Sequence, residues 1–384
     1  MADQPWQTIS KAAEMLQPGD TVIVHAGVYR EHVQPARSGT KSKPITYAPA
    51  EGQQVVISGA DVVADWTHLR DAIWKKEAWP YRFPTHPNNE FHQLIGRCEQ
   101  VIADGTLLKQ VATVKDMKPG TFCAMPDEKT LYVRLQDDAD PNTHLLEASV
   151  RSLCFGLRWT DEPIHHICVR GLTIRYAANK AQYGALVAKG NDWLVEDCTT
   201  EWTNGTGVVF RGNDITLRRV RSHHNGQQGA RGYGRGFLLD EVSLDHNNLK
   251  GFDKAWEAGA IKISRARDGI LRNCRAEAND GNGYWFDIDV RDVLVENCVA
   301  KDNARNGIFV EISGGFQIRN NLCVRNGLDG KWGRGGIGIG ESDHCTIENN
   351  TCVLNSTGIS IREQGPRSFP DIDGNRVSYH VHDL

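Results

Sequence analysis

The sequence predicts an all-β fold: a right-handed parallel β-helix with a β-sandwich-like domain inserted early and a short helix capping its N-terminal end. Three observations carry this. A strand-and-turn pattern recurs at intervals of 22 to 32 residues, no helical periodicity accompanies it, and glycine makes up 38 of 384 residues, as many tight turns require. The repeat reads Val169-Arg170-Gly171-Leu172, Val195-Glu196-Asp197-Cys198, Leu217-Arg218-Arg219-Val220, Leu239-Asp240-Glu241-Val242, Leu271-Arg272-Asn273-Cys274, Val295-Glu296-Asn297-Cys298, Ile318-Arg319-Asn320-Asn321 and Ile347-Glu348-Asn349-Asn350. First residues lie 22 to 32 positions apart, the period of a strand solenoid. A leucine-rich repeat would need a denser leucine signature. A solenoid also escapes the size limit of a single compact core, because it grows along one axis.

The elements follow in order. Ile9, Ala12, Ala13 and Leu16 have helical spacing, and Pro18-Gly19 stops the helix. Short strands follow at Thr21–Val24, Gly27–Tyr29, Ile45–Tyr47 and Val55–Ser58, so residues 1–60 should form the cap and first turns. From 61 to 149 the repeat is lost. This stretch holds Trp66, Trp74 and Trp79 with hairpin signals near Val101 and Leu131, and is expected to be a β-rich module that touches the face carrying Asp287 and closes one side of a pocket there. Residues 150–384 form the main coil, the repeat resuming at Ile164. Asn at the turns suits left-handed backbone, and stacked Asn side chains bond one another. Cys198, Cys274 and Cys298 share one repeat position and should stack inside as free thiols. Val381-His382-Asp383-Leu384 read as the start of another turn.

Net charge is −4, which gives no polyanion-binding character, so no nucleic-acid partner is expected. Apolar runs are too short to span a membrane. The N-terminal residues do not read as a signal peptide; a soluble protein is expected, periplasmic or secreted after loss of a leader, or else cytoplasmic. No C-x-x-C pair or ligand-spaced histidines suggest a metal, and no cofactor is expected. Gly336-Ile337-Gly338-Ile339-Gly340 is not a dinucleotide loop, since no helix follows.

The chemistry sits where Gly283-Tyr284-Trp285-Phe286-Asp287-Ile288 repeats as Gly307-Ile308-Phe309-Val310-Glu311-Ile312. Alternation puts Tyr284, Phe286 and Ile288 inside, with Ile308, Val310 and Ile312. One outward column then reads Ser264, Asp287, Glu311, Gly340, Arg362. Its neighbour reads Lys262, Trp285, Phe309, Gly338, Ser360. Adjacent strands are ~4.8 Å apart, so the stacked carboxyl groups of Asp287 and Glu311 should be about 5 Å apart, the separation of a retaining glycosidase pair. Like charges stacked outward are destabilising, which argues for a purpose. Trp285 and Phe309 are expected to face sugar rings, with open space at the glycines. Lys262 should bind a sugar hydroxyl or pair with Glu257. Arg362 supplies a cation, Asp289 is an alternative partner for Asp287, and His224 sits in a long turn that would line the cleft. His165-His166 and His223-His224 otherwise read as surface turn histidines.

With Trp256-Glu257-Ala258-Gly259-Ala260-Ile261-Lys262, these two segments resemble glycoside hydrolase family 120, and more widely other β-helix glycosidases such as family 141. The architecture agrees along the whole chain; the motif similarity is confined to residues 256–315. The resemblance implies β-xylosidase activity on oligosaccharides or polysaccharides, Asp287 as nucleophile, Glu311 as general acid/base, and Glu257 as a sugar contact. Ile288 and Gly314 depart from the pattern, which expects an aromatic residue and a histidine there. The expected reaction is retaining hydrolysis of a glycosidic bond. A polysaccharide lyase using Lys262 or Arg362 against a uronate, and a non-catalytic carbohydrate-binding coil, are the rivals.

Overall fold

The computed structural model describes residues 5–84, 94–330, 334–362 and 376–378. It is a right-handed parallel β-helix. A typical turn runs through Asn282–Asp287, Arg291–Glu296 and Val299–Lys301, three strands that each pair in parallel with their counterparts one turn on. The first two strand series join one long sheet, and the third forms a second sheet.

The corner between the second and third strands is a single left-handed residue: φ is 55° at Asp197, 57° at Asn273, 54° at Asn297 and 56° at Asn320. Asn and Asp tolerate this conformation best. The next residue turns inward, so Cys198, Cys274 and Cys298 are buried with their thiols free. At Asn321 and Asn350 the same position carries an amide pair bonded at 2.9 Å. A longer Asn ladder, absent from the repeat as read in sequence, runs along the following corner: Asn225, Asn247, Asn279, Asn303, Asn326 and Asn355 bond in succession at 2.9–3.0 Å. Buried amides need partners, and the neighbouring turn supplies them.

The second strand series carries an ionic ladder. Arg170, Glu196, Arg218, Asp240, Arg272, Glu296, Arg319 and Glu348 are register partners in order. Their signs alternate without exception, with contacts of 2.9 Å at Arg170–Glu196, Arg272–Asp240 and Arg319–Glu296. Opposite charges directly across strands favour this register.

The helix Ile9–Met15 buries Ile9 and Ala13 against the first turn. Thr8 caps it, and Glu31 accepts the N–H groups of Ile9 and Ser10 at 2.8 Å. The coil resumes at Phe155–Gly156, which pairs with Leu186 and Val187, earlier than Ile164. Between Ser58 and Phe155 the chain builds two small sheets. One comprises Ala60–Val62, Val101–Ala103, Thr106–Leu107 and Leu146–Ser149; the other comprises Thr67–Arg70, Ile73–Lys76, Lys109–Gln110, Thr121–Met125 and Thr130–Arg134. Trp66, Trp79, Phe122 and Leu131 fill their shared core. This module meets the coil where Ala60 and Ile102 pack on Tyr176, beside Trp202. Among the described residues no helix is long and apolar enough to cross a membrane. Residues 381–384 lie outside the described residues.

Candidate active site

The first strand of each turn positions the site. Val187, Val209, Arg231, Lys262, Trp285, Phe309, Gly338 and Ser360 are consecutive register partners, and so form one outward column. Beside it, Asp287, Glu311, Gly340 and Arg362 are partners in order. Asp287 and Glu311 therefore stack on adjacent parallel strands, a step of ~4.8 Å. Along the second strands the stacked charges alternate in sign; here two acids stack, as Asp245 and Glu277 also do on the third strands.

Alternation stops at these acids. Each ends its strand, and the next residue is left-handed: φ is 62° at Ile288 and 49° at Ile312. Both are half-buried rather than inward, which corrects their assignment to the core. Val290 and Ser313 take the interior positions instead. A β-branched residue at positive φ is rare, and such strain concentrates at functional sites.

The outward face is not open. Arg231, Glu257, Lys262 and Asp287 are each at most 6% exposed, so their charges must be paired. Lys262 Nζ lies 2.7 Å from Asp287 Oδ2 and 3.3 Å from Glu257 Oε1, donates to the Trp256 carbonyl at 3.0 Å, and sits 3.8 Å from the Trp285 ring centroid. Arg231 pairs with Glu257 and donates to the Tyr233 hydroxyl. The result is a buried chain of alternating charge, Arg231–Glu257–Lys262–Asp287. Glu257 reaches it from the end of the long corner 246–258, whose Phe252 packs on Ala181 and Ala258.

Trp285 and Phe309 are 2% and 1% exposed, so neither offers a free ring to a sugar. Trp285 instead donates its indole N–H to Glu311 Oε2 at 3.1 Å. Phe309 leans over the glycines: a Cβ on Gly338 or Gly340 would come within 3.2–3.4 Å of its ring. Arg362 lies 5.2 Å from the same ring. The space expected at the glycines is thus filled by Phe309.

Arg305 approaches Glu311 from the corner after the third strand. Burial lowers its pKa to about 10, Arg334 adds to this, and the charge of Glu311 opposes it. Its Nη1 donates to the Lys254 carbonyl, tying two corners together beside the acid.

Two expected site residues lie elsewhere. Asp289 follows the left-handed turn and is held by Arg267 at 3.2 Å and Arg291 at 3.4 Å; Arg291 in turn bonds Asp343 at 2.7 Å. That network belongs to the next face, because consecutive left-handed residues at 288 and 289 swing the chain around the corner. His224 lines a cavity of about 500 Å³ between the inserted module and the coil, stacked between Trp202 at 4.5 Å and His246 at 5.0 Å. Neighbouring His223 is half-buried rather than a surface turn residue, and burial lowers its pKa to about 4. Arg231 and Tyr233 escaped sequence reading because Gly229, Gly232, Gly234 and Gly236 make that strand look like a loop; carrying the register one turn back from Lys262 finds Arg231.

The family described as right-handed β-helix region matches residues 183–335. XylC solved with xylose superimposes with a TM-score of 0.74 at 21% identity, over 92% of this chain and 67% of that one. A glycoside hydrolase superimposes with a TM-score of 0.61 at 10% identity, over 93% and 88%. The uncharacterized protein YwoF of Bacillus subtilis (strain 168) is 40% identical over 60 residues, 16% of this chain and 13% of that protein.

Proposed function

We propose that this protein is a retaining glycoside hydrolase acting on β-xyloside-type linkages. The stacking of Asp287 on Glu311 carries the reading, because it sets two carboxyl groups one strand spacing apart, the arrangement of a retaining pair. In the first step an Asp287 carboxylate oxygen attacks the anomeric carbon, the bond to the leaving oxygen breaks, and Glu311 gives that oxygen its proton. In the second step Glu311 takes a proton from water, whose oxygen displaces Asp287 and restores the free carboxylate. Lys262 holds Asp287 in position by its 2.7 Å ion pair; Trp285 orients Glu311; Glu257, locked by Arg231 and Lys262, contacts the sugar. The superposition on a protein solved with xylose supports this choice of sugar.

A panel of nitrophenyl glycosides, beginning with the β-xyloside, tests it. Proton NMR should show the first-formed sugar with the substrate's anomeric configuration, and Asp287→Ala should abolish turnover. An inverted product would rule out the double displacement. A product absorbing in the near ultraviolet, formed from a uronate polymer, would mean a lyase instead.

A further inference from the structure

Sugar-binding proteins present aromatic faces to pyranose rings, yet the rings at the acid pair are buried. Among the described residues the exposed aromatic side chains are Trp6, Trp159 and Tyr183. Trp159 and Tyr183, 39% and 37% exposed, lie together on the site face, their ring centroids 5.9 Å apart. They border a cavity of about 430 Å³. Its floor includes Val187 and Val209, the residues that precede Arg231 and Lys262 in the outward column. Phe83 and Pro84 of the inserted module close one side.

Trp159 is braced from the coil. The Arg211 guanidinium lies 4.3 Å from its ring centroid, and Lys189 Nζ donates to its carbonyl at 2.8 Å. The Tyr233 ring is 6.0 Å away. A cation set against one face of an aromatic ring holds it at little further entropic cost, which is the preorganisation a binding platform needs. Lys180 Nζ lies 4.3 Å from the Tyr183 ring centroid, against one of its faces, and Arg158 and Arg82, the latter paired with Asp127, stand at the rim. A mostly apolar floor with convergent donors is the usual character of a small-molecule site.

Tyr233 lies two strands before Asp287, roughly 10 Å along the coil, and Trp159 lies beyond it. We infer that Trp159 and Tyr183 form a distal subsite for an oligosaccharide whose chain runs along the coil axis from the acid pair. This rests on the proposed roles of Asp287 and Glu311 for its direction: it lies on the Asp287 side, the side of the glycone. The protein would then accept glycones longer than one sugar.

Calorimetric titration tests this with Asp287→Asn protein and a panel of neutral xylo-, gluco-, manno- and galacto-oligosaccharides. At least one should bind, and adding Trp159→Ala or Tyr183→Ala should weaken it at least tenfold, while Trp159→Phe keeps most of the affinity. Circular dichroism and thermal melts check that each variant is folded. Binding that is unchanged in both alanine variants, or no binding by any saccharide in the panel, would overturn the inference. Activity is read separately. In active protein, Trp159→Ala should raise KM for the bound oligosaccharide at least tenfold and leave 4-nitrophenyl β-xyloside turnover within twofold. Oligosaccharide binding without hydrolysis of any panel member would sink the proposed reaction and leave the subsite standing.

Discussion

The indole nitrogen of Trp285 donates to Glu311 Oε2 at 3.1 Å, from a strand one step before Glu311's own. The same indole carries Lys262 against its face. One buried side chain therefore touches both halves of the acid pair: Glu311 directly, and Asp287 through Lys262.

Trp285→Phe removes the donor and keeps a ring under Lys262. Glu311 would lose its fixed orientation, so kcat should fall, by less than the roughly 10²–10⁴-fold that a general acid/base contributes, with KM little changed. Steady-state kinetics on a nitrophenyl glycoside read both constants; a change confined to KM would mean that Trp285 acts only on substrate binding.

Glu311→Ala should behave differently from Asp287→Ala. Good leaving groups need little protonation, so glycosyl-enzyme formation should survive and its hydrolysis should slow. Added azide should restore turnover and give a glycosyl azide of retained configuration. Rescue of Asp287→Ala with retention instead would exchange the two roles.

Lys262→Met leaves the buried carboxylates of Glu257 and Asp287 without their shared cation. Removing one partner of a buried ion pair costs about 3–5 kcal/mol, so the urea midpoint should drop and turnover should be lost. Lys262→Arg should recover stability in part. A midpoint unchanged in Lys262→Met would show that water reaches these groups.

The ionic ladder predicts a smaller effect. Glu296 stands between Arg272 and Arg319, and these side chains are partly exposed. Glu296→Lys would stack three cations and should cost about 1 kcal/mol or less. The difference from the unmodified protein should shrink in high salt; a loss insensitive to salt would point to packing.

Lys250 joins the inserted module to the coil, its Nζ bonded to the Arg97 carbonyl and to Asn204 Oδ1. Its stem is partly exposed, but its ammonium is enclosed, and burial lowers its pKa to about 8. The unfolded chain then holds this proton more tightly than the folded one between about pH 8 and the ordinary lysine range. Stability from this group rises with pH across that window, by at most about 1.4 kcal/mol per pH unit. Urea unfolding at several pH values should show a slope difference of this sign between the unmodified protein and Lys250→Met. Parallel curves would mean that the ammonium is solvated.

The coil and the acid stack were legible in the sequence because both are local. Tyr284 and Phe286 repeat as Ile308 and Val310, and period-two alternation sets the register of Asp287 over Glu311 wherever one face is buried. That logic failed one residue later, at Ile288 and Ile312, because nothing in a β-branched residue announces a left-handed turn. The alternating signs from Arg170 to Glu348 were also written in the repeat, although their meaning depends on which strands become neighbours.

What the sequence by itself determined is the period, the inward stripe and the column that holds the two acids, all consequences of side chains alternating along neighbouring strands. Only the tertiary structure decided what surrounds them. The corner 246–258 brings Glu257 between Arg231 and Lys262, Phe309 fills the space at Gly338 and Gly340, and Asp289 and His224 turn away to other faces. Corners and insertions have no period, and their placement depends on contacts between residues far apart in the chain. Burial and charge pairing in the site are therefore properties of the assembled coil rather than of any one repeat.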